Sequence, residues 1–213
     1  MMQKDIEIID KNITLEDLKI FIRDSKFIAG ANNISSLPQI SLPQVAFVGR
    51  STVGKSTLIN MICSRKKLVK TSRSPGHTKQ INFFNISDVF ALVDLPGYGF
   101  SSVSHKVKES WSKLIWHYFK TSGNIRLVNI LLDFRRDVRE SDMMLIDTLR
   151  KLDIKFQAII TKIDKVRKDQ TNVPQIITDL HKIGCYDIKF SGQDMLEEIQ
   201  KIKISILEAL RSE

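Results

Sequence analysis

Apolar runs alternating with amphipathic stretches from residue 44 onward predict an α/β fold. The expected architecture is a mostly parallel six-stranded sheet with one antiparallel strand and helices on both faces. Two further observations agree with it. Residues 81–86 and 89–93 are separated only by Ser87 and Asp88, a hairpin spacing that supplies the antiparallel strand. The 213 residues are 42% hydrophobic and 27% charged, ordinary usage for a chain that buries a core, which argues against a disordered or fibrous protein.

The elements follow in order. Residues 1–41 read as an N-terminal extension. Within it Thr14 and Asp17 make an N-cap pair, and Leu15, Leu18, Ile20, Phe21 and Ile22 are the apolar positions of a short helix. After a loop rich in Asn, Ser and Pro, residues 42–213 form the main domain. Residues 45–48 are a buried strand, 49–56 a glycine-containing loop and 57–63 a helix. The stretch 65–80 lacks hydrophobic periodicity and reads as a loop. After the hairpin come a helix over 106–120 and a strand over 127–132. A helix over 141–152 and a strand over 156–160 follow, and helices near 173–183 and 195–210 flank a last strand at 188–190.

Charge and cysteine usage narrow the class. The 33 basic and 24 acidic residues leave a net charge of +9, which favours a polyanionic partner. Cys63 and Cys185 lie far apart with no CxxC or Cys/His spacing, which argues against a disulfide scaffold or zinc module and for two reduced, buried thiols. The first residues, MMQKDIEIID, carry no apolar signal segment, and no run reaches a membrane-spanning length. A cytoplasmic protein is expected.

The motifs all fall where predicted strands end, the edge at which open α/β sheets bind ligands. Gly49-Arg50-Ser51-Thr52-Val53-Gly54-Lys55-Ser56 fits GxxxxGK[ST] between a strand and a helix, with Thr57 next in line. In such a loop the backbone amides surround a β-phosphate, Lys55 reaches the β- and γ-phosphate oxygens, and the Ser56 hydroxyl ligates Mg²⁺. Asp94 closes a hydrophobic strand and is followed by Leu95-Pro96-Gly97. A carboxylate there holds Mg²⁺ through water, and the Gly97 N–H can approach a γ-phosphate. Gly76-His77-Thr78-Lys79-Gln80 lies between the two motifs. Thr78 is the choice for a loop threonine that completes the Mg²⁺ shell when a γ-phosphate is present, with Thr71 the other candidate.

Thr161-Lys162-Ile163-Asp164 follows the strand at 156–160. The Asp164 carboxylate can accept from guanine N1–H and the exocyclic amine. Adenine lacks the N1 donor and would leave the carboxylate unpaired, so the site selects GTP/GDP over ATP. The Lys162 stem can cover the purine plane, and Phe190-Ser191-Gly192 would set backbone amides against the guanine oxygen.

Together these motifs stand in the order of the translation-factor class of GTPases. Residues 71–78 (TSRSPGHT), 81–84 (INFF), 94–100 (DLPGYGF) and 133–136 (DFRR) with Asp142 resemble the EngB/YsxC/YihA family, in the TrmE-Era-EngA-EngB-Septin-like group, over roughly residues 25–210. The resemblance implies a single Ras-like P-loop GTPase domain that binds Mg²⁺. It also implies a monomer acting in assembly of the large ribosomal subunit, with a link to cell division and septum formation. Three positions depart from the family pattern. Thr52 stands where Asn helps related GTPases bind an activating K⁺, His77 replaces Arg, and Ser191-Gly192 replaces Ser, a small residue and Lys.

Tyr98 occupies the position where many small GTPases carry the Gln that orients the attacking water. Slow intrinsic hydrolysis is therefore expected, with water positioning left to the Thr78 region, K⁺ or a partner. Arg65, Lys66, Lys67, Lys70, Arg73 and Lys79 form a run with no acidic residue between 65 and 87. It reads either as a solvated face or as a loop that touches rRNA phosphates when GTP orders it. No reading of DNA sequence is expected. Two alternatives remain at this level: a basic RNA-binding module with a vestigial nucleotide site, and a P-loop ATPase or kinase, which TKID opposes.

Overall fold

Ser87 and Asp88 both take positive φ, +52° and +56°, and the Val89 N–H donates to Ile86 C=O (3.0 Å). Phe90 stands opposite Ile86, so the hairpin loop holds three residues and not the two expected, Val89 being exposed in the turn. The computed structural model describes residues 8–10, 13–69, 80–98, 105–166 and 172–212. Its elements begin with β1 (Ile8–Asp10), β2 (Ile13–Thr14), α1 (Leu15–Leu18), α2 (Ile20–Arg23) and β3 (Ser25–Ala31). They continue through β4 (Gln44–Gly49), α3 (Lys55–Ile62), β5 (Ile81–Ile86), β6 (Phe90–Asp94), α4 (His105–Thr121) and β7 (Ile125–Asp133). The chain then runs through α5 (Glu140–Lys151), β8 (Phe156–Thr161), α6 (Val173–Lys182), β9 (Ile188–Ser191) and α7 (Leu196–Arg211).

The main sheet has the order β3-β5-β6-β4-β7-β8-β9. Only β5 runs against the rest, since it pairs antiparallel with both β3 and β6 while the other pairings are parallel. The α/β class and the single reversed strand agree with the sequence reading, but among the described residues the sheet has seven strands and not six. The additional strand is β3, inside the stretch read as an extension. Its sequence SKFIAGA shows no clean alternation because most of it is exposed at the sheet edge. Pairing with β5 is carried by backbone bonds across a register shift between Phe27 and Ala29, with Phe27 edge-on to Phe84 at 5.6 Å between centroids.

The helix expected near Thr14 forms as two short pieces. Thr14 Oγ1 accepts the Asp17 N–H (3.2 Å) while an Asp17 carboxylate oxygen accepts the Thr14 N–H (2.8 Å), a reciprocal capping box. Ile20 and Phe21 are buried with the α7 residues Ile199, Ile202 and Ile206, and Arg211 pairs with Asp17.

Side-chain alternation along β4 divides the core. Val45 and Phe47 face α3 and α7; Ala46 and Val48 face α4, α5 and α6 through Tyr118, Ile146 and Leu180. Both faces are covered, so β4 reads as an unbroken apolar run. One cysteine lies in each half, unpaired, and burial pushes the Cys63 thiol up to about 12 and Cys185 to about 11. Such thiols stay protonated and unreactive. Because β6 and β7 lie on opposite sides of β4, the chain order diverges there and opens a crevice beyond its carboxyl end.

Candidate functional site

The loop after β4 turns tightly, with Val53 N–H donating to Arg50 C=O (3.2 Å) and both Thr52 (φ +61°) and Gly54 (φ +105°) left-handed. α3 starts at Lys55 with no side-chain cap on its first amides, the arrangement that makes a helix N-terminus an anion site. Lys55 is buried and its ammonium pairs with Asp94, the fully buried last residue of β6. Among the described residues, Asp94 Oδ2 and Ser51 Oγ are buried without a hydrogen-bond partner. An unsatisfied buried polar atom costs about 1–3 kcal/mol, so these two mark where a cation and an anion would complete the site. The donor set, a hydroxyl-bearing helix start beside a carboxylate, suits Mg²⁺ with phosphate oxygens.

The 95–98 segment lies directly on this loop. Ser51 N–H donates to Tyr98 C=O (3.4 Å), and Tyr98 N–H donates to Gly49 C=O (3.3 Å). A Cβ on Gly97 would stand 3.1 Å from Ser51 Oγ and 3.3 Å from its nitrogen, so any larger residue would push the phosphate loop back by a few tenths of an ångström. Leu95 and Pro96 are buried beneath it. The Tyr98 hydroxyl donates to Asp142 Oδ1 (2.8 Å), and the other Asp142 oxygen accepts the Arg139 N–H (2.9 Å) at the start of α5. Burial, then the charge and hydrogen bond of Asp142, hold the Tyr98 phenol well above its ordinary pKa.

At the other side of the crevice, Thr161 Oγ1 at the end of β8 donates to Val53 C=O (2.7 Å). Lys162 is left-handed at φ +66°, and its ammonium donates both to Thr52 C=O (2.6 Å) and to Asp133 Oδ2 (2.8 Å) at the end of β7. Burial alone would raise the Asp133 pKa, but hydrogen bonds from Arg135 and Lys162 overcome it and hold the carboxyl well below the usual range. Asp164 follows in a 3₁₀ turn, Ile163–Lys165. Directly after β9, a Cβ on Gly192 would lie 2.8 Å from both Asp164 N and Oδ1. Phe190-Ser191-Gly192 therefore packs against the Asp164 turn, and the small residue there is what the contact allows.

The structure thus brings residues 49–57, 94–97, 161–164 and 190–192 to one sheet edge. The Gln80 amide donates to Asn82 (2.8 Å) and lies over Gly30 of β3. Thr71, Gly76, His77, Thr78 and Lys79 lie outside the described residues, as do Lys70 and Arg73. Of the basic run, Arg65, Lys66 and Lys67 are exposed on a turn closed by Asn60, which accepts the Val69 N–H (2.9 Å) and donates to its carbonyl (3.0 Å). Sequence reasoning assigned no role to Asp133, Arg135 or Asp142. Asp133 carried the same signal as Asp94, a carboxylate closing an apolar strand.

A family profile described as 50S ribosome-binding GTPase matches residues 44–162. A probable GTP-binding protein EngB of Rickettsia bellii is 44% identical over 211 residues, 98% of this chain and 99% of its own length. This chain belongs to the EngB family. The EngB relative from Rickettsia africae is 54% identical over 148 residues, covering 70% of each chain. Among solved structures, a probable GTP-binding protein EngB aligns at TM-score 0.62 with 24% identity, over 79% of this chain and 98% of its own. Era of Aquifex aeolicus bound to GDP and AlF4⁻ aligns at TM-score 0.58 with 23% identity, over 78% of this chain and 57% of its own. These two likenesses establish the fold.

The departure at Thr52 from the EngB-family pattern has a local cost. A β-branched residue is among the least suited to φ +61°, whereas Asn tolerates the left-handed region. Thr52→Asn is therefore expected to stabilise the protein by about 0.5–1 kcal/mol, raising the melting midpoint by about 1–4 °C. Differential scanning calorimetry checks this.

Proposed function

We propose that this EngB-family chain is a GTPase switch that binds guanine nucleotide with Mg²⁺ and acts on a precursor of the large ribosomal subunit. The observation that carries this reading is the meeting of two subsites in one crevice. Lys55, Asp94 and the uncapped start of α3 form one, and the Asp164 turn packed on Gly192 forms the other. In this reading the amides of residues 51–56 hold the phosphates, Lys55 leaves Asp94 to bridge the β- and γ-phosphates, and Ser56 and Asp94 serve the metal. Thr78 is the proposed third metal partner. Mg²⁺ would offset charge building on the phosphoryl oxygens. Asp164 reads the guanine edge, with Ser191 and Gly192 beside it. Residues 42–213 are taken as the G domain and 1–41 as an N-terminal extension whose β3 completes the same sheet.

Hydrolysis is expected to be slow in the isolated protein. The Tyr98 hydroxyl is committed to Asp142 (2.8 Å), and the phenol carries no carboxamide with which to orient water. Rapid turnover without K⁺ or a partner would contradict this. The ribosome-binding character of the family whose profile matches and the exposed Arg65, Lys66 and Lys67 support an rRNA contact. A cytoplasmic place of action and the family's division link accompany that partner. Among the described residues no helix is long and apolar enough to cross a membrane.

The direct test is thermal stability with GDP, ADP or neither. GDP at a hundredfold excess over Kd should add about 2.7 kcal/mol, or about 5–11 °C, and ADP almost nothing. No response to GDP would refute nucleotide binding and favour the vestigial-site alternative, while an equal ADP response would favour an ATPase or kinase. Co-sedimentation with assembling large subunits should then be stronger with a GTP analogue than with GDP.

A further inference from the structure

The Asp133 carboxylate is 4% exposed and is held from three directions. Arg135 binds it bidentately, Nε to Oδ1 at 2.9 Å and Nη2 to Oδ2 at 2.7 Å, and the Arg135 backbone N–H adds a third bond to Oδ1 at 3.1 Å. From just beyond the end of the adjacent strand β8, Lys162 Nζ donates to Oδ2 at 2.8 Å. The same ammonium donates to the Thr52 carbonyl at 2.6 Å, and its Cε lies 4.0 Å from where a Gly54 Cβ would stand. One lysine therefore ties the end of β7 to the turn of the phosphate loop, and it belongs to the same tetrapeptide as Asp164. A flexible ammonium side chain loses most of its rotamer freedom when a fixed carboxylate receives it.

We propose that Asp133, pinned by Arg135, is a positioning residue for the nucleotide. It holds Lys162 across the crevice so that the phosphate loop and the Asp164 turn keep one spacing, which sets how long guanine nucleotide stays bound. This rests on the guanine-nucleotide reading above. Asp133 touches no reacting atom, so its removal shortens residence without changing the chemical step. Arg135, half-exposed and bonded among the described residues only to Asp133 by its side chain, acts at one further remove.

The experiment is stopped-flow release of a fluorescent GDP analogue from the full chain as wild type, Asp133→Asn, Lys162→Met and the double variant. Asp133→Asn keeps the shape and removes the charge. It should speed release about tenfold or more, the effect of discharging one partner of a buried pair being mostly on dissociation. The double variant should release no faster than Lys162→Met alone, because the two residues act in series, and turnover of Asp133→Asn at saturating GTP should stay within about twofold of wild type. Release from Asp133→Asn within about twofold of wild type would overturn the proposal, as would multiplying factors in the double variant, which would make Asp133 merely structural. If Asp133→Asn does not fold, Arg135→Met carries the same cycle: faster release that vanishes on the Lys162→Met background supports the proposal, and unchanged release overturns it. A wild-type chain that fails to retain the GDP analogue would instead refute the guanine-nucleotide reading.

Discussion

Asp164→Asn is expected to lower GDP affinity about a hundredfold and to turn preference toward xanthine nucleotides. The carboxylate can accept two hydrogen bonds, and guanine offers two donors on its edge, N1–H and the exocyclic amine. The amide of Asn keeps one acceptor and adds a donor, so one guanine donor then faces a donor while the 2-oxo group of xanthine gains a partner. Two charge-assisted bonds reduced to one, with an opposing N–H left over, amounts to about 3 kcal/mol, which is the hundredfold. The packing keeps the new side chain in place: the Asp164 turn sits directly on Gly192, whose missing Cβ would stand 2.8 Å from Oδ1. Isothermal titration with GDP and XDP reads both halves of the expectation. Unchanged selectivity for guanine would mean that the base is read elsewhere.

The second large effect concerns stability before any nucleotide is added. Lys55 and Asp94 form an ion pair with side-chain exposures of 7% and 0%, and among the described residues Asp94 Oδ2 already lacks a partner. Lys55→Met retains the stem and its packing but leaves a buried carboxylate uncompensated. We expect a loss of about 3–5 kcal/mol in nucleotide-free protein, a drop of about 6–20 °C in the melting midpoint. Adding Asp94→Asn should recover most of that loss, because it removes the stranded charge. Neither variant should hydrolyse GTP measurably, since the first removes the cation that stabilises phosphoryl charge and the second also weakens the metal site. Calorimetry of the two variants without nucleotide separates the charge argument from a simple packing defect, which Asp94→Asn would not repair.

Much of the fold was legible because its signals are local. The 45–48 run, the Gly49–Ser56 loop and the two-residue gap at Ser87 and Asp88 each reflect backbone demands met within a few residues. They place β4, the loop and the β5–β6 hairpin within a residue or two of their observed bounds. The helix near Thr14 was anticipated from its cap, but its division into two pieces around Lys19 depends on where Ile20 and Phe21 must enter the core beside α7. β3 was missed for the opposite reason. An exposed edge strand needs no hydrophobic alternation, and its identity comes from backbone bonds to β5, fifty or more residues later.

The chemistry of the crevice divides along the same line. Residue order alone announced a phosphate loop, an acidic strand end and a TKxD turn, because each depends on side chains at short, fixed spacing on one backbone element. Which groups engage across elements was settled by the sheet. Side-by-side placement of β4 and β6 pairs Lys55 with Asp94, and the neighbouring ends of β7 and β8 give Lys162 to Asp133. Tyr98 meets Asp142 across 44 residues. A charge's energetics depend on burial and on the partner that faces it, and those follow from strand order and packing, which no local pattern in a single chain encodes.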